Sequence, residues 1–386
     1  MPIDFVSDTP YFQLTNSQRV SMGLSPVEPG WEWMRTPLEG KEGWKCWVCF
    51  DGDIIRKRLL VGLETYIEST LEEQTLEGRT KIMPRNGRGK VRPISFVDLE
   101  RRPLGMHLQY RGRQHQFFIE HMESSRTYYN AKLDTKIPAD LNEFADWARR
   151  WEAETTPADM EELAMLLCLQ KRQKLPYQEG DFFRYPLGRR QFGYGRILLD
   201  YNKQRKRKEP FWDILKGVSQ RPLLVMPYRI ISENSNLQPE ELRKLPAMPS
   251  FYMEDFPIAV GNYSIVGNLP LEENELDFPI HYGRSIPWQK EPKVIFQCGT
   301  VFRELEGAEP LPYCNHFRNL GVAEGIFLRR YTLERCIADN SNNFYWSEHD
   351  NLRNPAFRHR LEEICQQMDL DIEKLPAKLS SFVKPL

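Results

Sequence analysis

The sequence is poor in the features that announce common chemistries. Its 386 residues include only seven histidines, and no C-x-x-C precedes a pair of them at zinc-finger distance. Seven cysteines, an odd number, are scattered at positions 46, 49, 168, 298, 314, 336 and 365, which argues against a disulfide framework and fits a reducing compartment. Nowhere do about 18 apolar residues run together without charge. The opening MPIDFVSDTPYFQLTNSQ has neither a basic leader nor an apolar core of the secretory kind, so the expectation is a soluble, cytoplasmic protein with no membrane partner. A dinucleotide fingerprint is missing too: GRRQFGYG at 188–195 lacks the G-x-G-x-x-G spacing and the helix that must follow. No extended polar tract marks disorder and no fixed-period repeat marks a solenoid.

What is present describes a globular chain. Hydrophobic residues make up 40% and aromatic residues 12%, and the length allows two or three domains with real cores. Short apolar runs separated by Gly, Pro, Asn and Asp predict strands at Trp44–Phe50, Gly89–Leu99, Leu104–Tyr110, His115–Met122 and Arg126–Asn130, as in a small sheet or a partly closed barrel. Within this region Leu59, Leu60, Leu63, Ile67 and Leu71 recur at helical intervals, predicting one helix over 56–73. Composition changes at Pro138. Asp140 with Glu143 and the stripe Leu141, Phe144, Ala148 and Trp151 predict one helix, and Thr155 and Thr156 before Pro157 predict the start of a second. The fold class expected is α+β, predominantly antiparallel β. It comprises a β-rich unit over 1–135, a helical connector over 136–176, a second β-rich unit over 177–306 and an extension over 307–386 that carries an amphipathic helix at 355–368. Residues 321–339 fit strand or helix equally.

The net charge of −1 conceals an uneven distribution. Residues 79–126 hold 11 Lys/Arg against 4 Asp/Glu, residues 181–229 hold 12 against 4, and residues 233–280 hold 2 against 9. Such blocks either steer a charged partner or satisfy each other inside one fold. The basic loop with Arg79, Lys81, Arg85, Arg88, Lys90 and Arg92 is a candidate nucleic-acid surface, since arginines and glycines can follow a phosphate backbone. Lys203–Glu209, KQRKRKE, is expected to stay solvated. Glu254, Asp255, Glu272, Glu273, Glu275 and Asp277 form a candidate face for a basic protein partner. Cys46 and Cys49 make the one C-x-x-C, but in a strand residues three apart point to opposite faces, so packing is the expectation rather than metal or redox chemistry. His107, His115 and His121, grouped with Glu120 and Asp98, would suit a hydrolase only if they converged, which Gly112 opposes. No cofactor or metal is called for.

Two blocks carry more information than any of these. GDFFRYPLGRRQFGYGRILLDY at 180–201 alternates aromatic and polar residues and then places Gly193 and Gly195 around Tyr194, which predicts a hairpin whose second strand needs close backbone approach. GNYSIVGNLPLEENELDFPIHYGRS at 261–285 follows, with PLLVMPYRII at 222–231, LPAMPSFYMEDFPI at 245–258 and KVIFQCGTVFREL at 293–305 as a last strand. In order and length these blocks resemble the bacterial immunity protein 26 family, over about 177–306. That resemblance implies a non-enzymatic antitoxin-type protein of a polymorphic toxin system, binding a toxin or effector by occlusion. Nucleic-acid binding through the loop at 79–92 is the alternative, and a hydrolase with a concealed site is a third.

Overall fold

A computed structural model describes residues 6–39, 43–75, 79, 88, 103–131, 137–206, 221–248, 250–272, 275–284, 293–299, 301–313, 330–338 and 352–375. The chain divides into two compact units, 1–173 and 174–386. As the strand and helix signals predicted, the fold is α+β, and the strands among the described residues pair antiparallel.

In the first unit β1 (Val6–Ser7), β2 (Glu32–Glu39), β3 (Lys45–Asp51), β4 (Ile54–Gly62), β5 (Thr65–Gln74), β6 (Leu104–Arg111), β7 (Gln116–His121) and β8 (Arg126–Asn130) form a sheet in sequence order. Each connection between neighbours is a hairpin or a longer return, so no crossover is needed. The strands expected at 44–50, 104–110, 115–122 and 126–130 are present; the one expected at 89–99 lies outside the described residues.

The helix expected over 56–73 is not formed. Those residues make β4 and β5, with Gly62 paired to Thr65 across the turn at Leu63 and Glu64. The reason is burial on both faces. Leu59 and Val61 pack on one side, Leu60 and Ile67 on the other, so the strands lose the alternation that marks a half-exposed sheet and the apolar residues fall by accident at helical spacing. A short helix the sequence reading passed over, α1 (Asn16–Ser21), is closed by a capping box between Thr15 and Gln18.

Helices α2 (Leu141–Ala153) and α3 (Pro157–Leu167) begin where expected. Asp140 accepts hydrogen bonds from the amides of Asn142 and Glu143, and Thr156 with Asp159 forms a capping box ahead of Pro157, satisfying amides that the first turn leaves unpaired. Phe144, Ala148, Trp151, Leu163 and Leu166 from these helices join Leu59, Tyr66, Tyr110, Phe117 and Ile119 in one core. Phe144 stacks on Tyr110 at 4.8 Å between ring centroids. The helical pair is therefore part of the first unit's core rather than a tether.

In the second unit β9 (Asp181–Pro186), β10 (Phe192–Asp200), β11 (Pro222–Pro227), β12 (Phe251–Glu254) and β13 (Ser264–Asn268) form a sheet of order β12-β11-β10-β9-β13, and the short helices α4 (Tyr201–Lys206), α5 (Pro239–Leu242) and α6 (Phe256–Ala259) fall between its later strands in sequence. A second sheet holds β14 (Ile280–Arg284), β15 (Lys293–Cys298) and β16 (Val301–Glu306) in order. The stretch 293–305 is thus two strands and not one: Gly299, at φ 56°, turns the chain so that Cys298 pairs with Val301. The left-handed conformation suits glycine alone without cost.

The close approach inferred at 193 and 195 is real. Gly193 pairs with Tyr185 and Gly195 with Phe183. Each aromatic ring lies across its glycine: a Cβ would come within 2.2 Å of the Tyr185 ring at 193 and 2.6 Å of the Phe183 ring at 195.

Both faces of the five-stranded sheet are covered. On one, Phe183, Tyr185, Ile197, Leu223, Val225 and Met253 pack with Leu333 and Cys336 of α7 (Arg330–Ala338). On the other, Phe182, Tyr194, Leu224 and Tyr252 pack with Phe296 and Cys298 of the second sheet and with Leu361, Ile364 and Cys365 of α8 (Arg358–Gln367). The amphipathic helix expected in the extension is this last one, and it closes the core of the unit. The undecided stretch at 321–339 is helical over 330–338; residues 321–329 and 339 lie outside the described residues.

Candidate functional site

The acidic segments of the second unit are held by three arginines: Arg196 from the basic block, Arg243 from the acidic block itself and Arg353 from the C-terminal extension. Arg196, on β10, is fully buried. Its guanidinium donates to the carbonyls of Leu269 at 2.7 Å and Pro270 at 3.1 Å, pairs with Glu275, and lies 4.4 Å from the centroid of the Phe182 ring. Arg243 reaches the same carboxylate at 2.9 Å and Glu272 at 3.1 Å. A planar donor fork on a carbonyl pair and a carboxylate fixes the 269–275 segment geometrically as well as electrostatically.

Asp277 is fastened more deeply. It is 2% exposed, and its Oδ2 accepts from Arg353 Nη1 at 2.8 Å and from the Ser250 amide at 2.9 Å. Arg353 also donates to Ser250 Oγ at 3.1 Å. Beside this group sits His281, whose burial, with Arg353 nearby, pushes its pKa down to about 3. Asp255 accepts from the Tyr177 hydroxyl at 2.7 Å and lies 3.8 Å from Arg221; burial raises its pKa despite those partners.

Of the six carboxylates nominated as a partner face, the structure turns Asp255 and Asp277 inward and clamps Glu275 on two arginines. Glu272 is exposed and Glu254 half-buried, while Glu273 lies outside the described residues. The opposed charge blocks meet within one fold at Arg196–Glu275 and Arg221–Asp255, while Arg243 and Arg353, from outside the basic block, hold Glu272, Glu275 and Asp277. Arg353, Arg196 and Arg243 went unnoticed in the sequence. The one available signal was Arg196 inside the apolar run GYGRILLDY, where a charge on a buried strand demands a partner.

The first unit contains a second buried ionic group that sequence reasoning missed. Glu68 Oε1 accepts from Arg19 Nε at 2.8 Å and Lys57 Nζ at 2.9 Å, and Oε2 accepts from the Tyr66 hydroxyl at 2.5 Å. Glu68 and Lys57 are fully buried. Burial alone would raise the Glu68 pKa, but the two cations and the hydrogen bonds outweigh it and bring it to about 2. The acceptor positions are taken by protein donors, which makes this an internal fastening.

The remaining candidates separate. Cys46 packs with Leu60 and Ile67, while Cys49 lies on the other face near Lys57 and Glu68; burial pushes the Cys46 thiol up to about 11 and the Cys49 thiol to about 12. The two sulfurs diverge as strand geometry requires. His107 pairs across strands with Glu120, and His121 with Met106, so the two rings occupy opposite faces. His107 bonds Ser69 Oγ at 3.1 Å and His121 bonds Ser124 Oγ at 2.9 Å, whereas His115 lies exposed in the turn after β6. Among the described residues no group of three or more His, Cys, Asp or Glu could hold a metal ion. Asp98 is outside them.

Of the basic loop, Arg79 and Arg88 are described. Arg79 is engaged with Glu32 at 2.5 Å and the Gly52 carbonyl at 2.9 Å, and Arg88 is exposed. Lys81, Arg85, Lys90 and Arg92 lie outside the described residues, as do 207–209 of the second basic run. An apolar groove of about 380 Å³ runs between Val20, Leu104, Met106, Met160 and Leu167 in the first unit. Its lining carries no titratable side chain. Among the described residues no helix is long and apolar enough to cross a membrane.

No curated protein and no solved structure matches the chain. One family model does, and it falls on the piece from the turn before β9 through β14 and the residues that follow it. Residues 178–291, a little under a third of the chain, match the model of the family described as Immunity protein 26.

Proposed function

We propose that this chain is an immunity-type protein of a polymorphic toxin system, which neutralises a protein toxin or effector by stoichiometric occlusion in the cytoplasm, without catalysing a reaction itself. The observation that carries this reading is the match at 178–291. That piece builds a sheet of five strands whose connecting segments are tied down by Arg196, Arg243 and Arg353. Binding by a surface that is already ordered loses little conformational entropy on association, so a rigid module suits a tight inhibitor.

Within the reading, the carboxylates divide by task. Glu275, Asp277 and Asp255 hold the connections in place, and Glu254 and Glu272, with Glu273 beside them in sequence, face the partner. A negative rim of this kind speeds encounter with a basic active-site groove and fixes register more than it adds affinity. The first unit would supply partner specificity.

Growth of cells expressing a toxin-domain gene found beside this one in its native genome, with and without this chain, tests the function. Rescue together with an equimolar complex on size exclusion is expected; neither rescue nor complex overturns the proposal. Reversing Glu254 and Glu272 to lysine should slow association about tenfold at low salt while leaving the fold intact, and an unchanged association rate rejects the assigned rim.

A further inference from the structure

Apolar exposure on this protein is concentrated. Of the eight large apolar side chains exposed among the described residues, Val20, Leu104 and Leu167 line the groove of the first unit, and Met165 stands beside Leu167 on α3. Apolar residues scattered singly over a surface need no explanation, whereas a clustered patch marks a contact site. A glycine builds the floor. Gly23, at φ 75°, turns the chain out of α1 hard against α3 and β6, where a Cβ would come within 2.9 Å of both Leu163 and Met106. The opening beside this closure measures about 380 Å³.

Length and charge together say what fits. Along α3 the lining runs from Met160 through Leu163 and Ala164 to Leu167, about 10 Å at 1.5 Å per residue, the span of a helix that presents apolar anchors at i, i+3, i+4 and i+7. The lining is uncharged, but carboxylates stand at its margins. Glu123 holds the Gly105 amide with both oxygens, at 2.9 and 3.0 Å, and its side chain is 29% exposed. Glu161 follows Met160, and Glu28 lies two places past Pro26; both are exposed. Among the described residues none of these three carboxylates pairs with a lysine or arginine. Glu123 has His121 at 3.2 Å, and burial lowers the pKa of that imidazole, which leaves it neutral near pH 7.

We propose that this groove docks an amphipathic helix of a protein partner, its apolar face laid against Val20, Leu104, Met106 and Leu167 and its margins carrying Lys or Arg opposite Glu28, Glu123 and Glu161. Met106 and Met160 let the surface fit anchors of differing shape. The site lies wholly outside the matched residues 178–291. It stands apart from the immunity reading, whose failure would show in the growth test and not here.

Full-length protein titrated into a fluorescein-labelled peptide of leucine and lysine, about 18 residues long with its leucines on one helical face, should give saturable equimolar binding by anisotropy at low salt. The same peptide with glutamate for lysine should bind at least tenfold more weakly. Ala164→Glu sets a carboxylate among the anchors at an exposed position of α3. It should weaken the lysine peptide at least tenfold, because that charge is desolvated in the complex, whereas attraction to an acidic surface alone would be strengthened by it. Val20→Glu on α1 repeats the test if circular dichroism shows that the first variant has lost its fold. Absence of equimolar binding overturns the proposal, as does unchanged affinity in the folded variant or equal affinity for the two peptides. Two results would assign the groove elsewhere and overturn the helix: the neutral dye N-phenyl-1-naphthylamine, held by the parent protein and lost from Ala164→Glu while the peptide fails to bind, and a dimer that Ala164→Glu dissolves.

Discussion

Arg353→Ala removes the cation that lies 2.8 Å from Asp277, and the consequence can be worked from the geometry. Both side chains are at most 5% exposed, so solvent does not take over the role of the lost partner. Asp277 keeps the Ser250 amide as a donor but loses its countercharge. Breaking a buried pair from one side costs about 3–5 kcal/mol; the surviving amide argues for the lower end, about 3 kcal/mol. With a urea slope of about 2–3 kcal/mol per molar, the midpoint of the second unit should fall by roughly 1–1.5 M. The probe must see that unit alone, so hydrogen exchange of peptides from β10 and β11 across a urea series is the suitable assay. Asp277→Ala should cost a comparable amount, and the double variant about 2 kcal/mol less than the two single losses together, because neither charge is then left alone. A midpoint shift under about 0.3 M, or strict additivity, would refute the assignment of Arg353 as the clamp.

Three further outcomes follow from features already described. Gly193→Ala places a methyl 2.2 Å from the Tyr185 ring and should destabilise the second unit by about 1–3 kcal/mol through overpacking, read as a lowered melting temperature; an unchanged value would show that the ring can move aside. A fragment ending at residue 291 omits Phe296, Cys298, Leu361 and Ile364 from the core, so it should bind a hydrophobic dye and lack near-ultraviolet dichroism, whereas a cooperatively folding fragment would contradict the shared core. In the first unit Glu68 titrates at about 2 when folded and near 4.5 when unfolded. A depressed carboxylate pKa contributes stability that is full above 4.5 and disappears as pH falls toward 2, roughly 3 kcal/mol in all; Glu68→Gln should flatten that part of the acid unfolding curve, and an unaltered pH profile would sink the linkage.

Most strands were legible because short apolar runs between turn residues are a local signal. The hairpin at 181–200 and the need for space at its glycines were readable; that the rings of Tyr185 and Phe183 fill this space, rather than backbone, was not. Helices α2 and α3 were legible because their caps are written within four residues. The misread region at 56–73 shows the limit: β4 and β5 are buried on both faces, and burial from two sides erases the period that distinguishes a strand from a helix. The hairpin at 293–306 was merged into one strand because Gly299 interrupts an otherwise continuous apolar and β-branched run. The carboxylates were visible and their roles were not. Glu275 and Asp277 look alike in sequence to exposed acids, and what makes them internal is Arg196, some 80 positions upstream, and Arg353, 76 positions downstream. Such pairings are decided by topology.

The burial of those ion pairs separates two behaviours that are usually entangled. Dissolved counterions cannot enter the space between Arg353 and Asp277, so ionic strength acts weakly on their attraction, whereas it screens the exposed Glu272 within about a Debye length. A protein built this way keeps its shape in brine while losing its long-range pull on other molecules. Salt thus becomes a selective reagent, able to weaken the field of the exposed carboxylates without loosening the core beneath them.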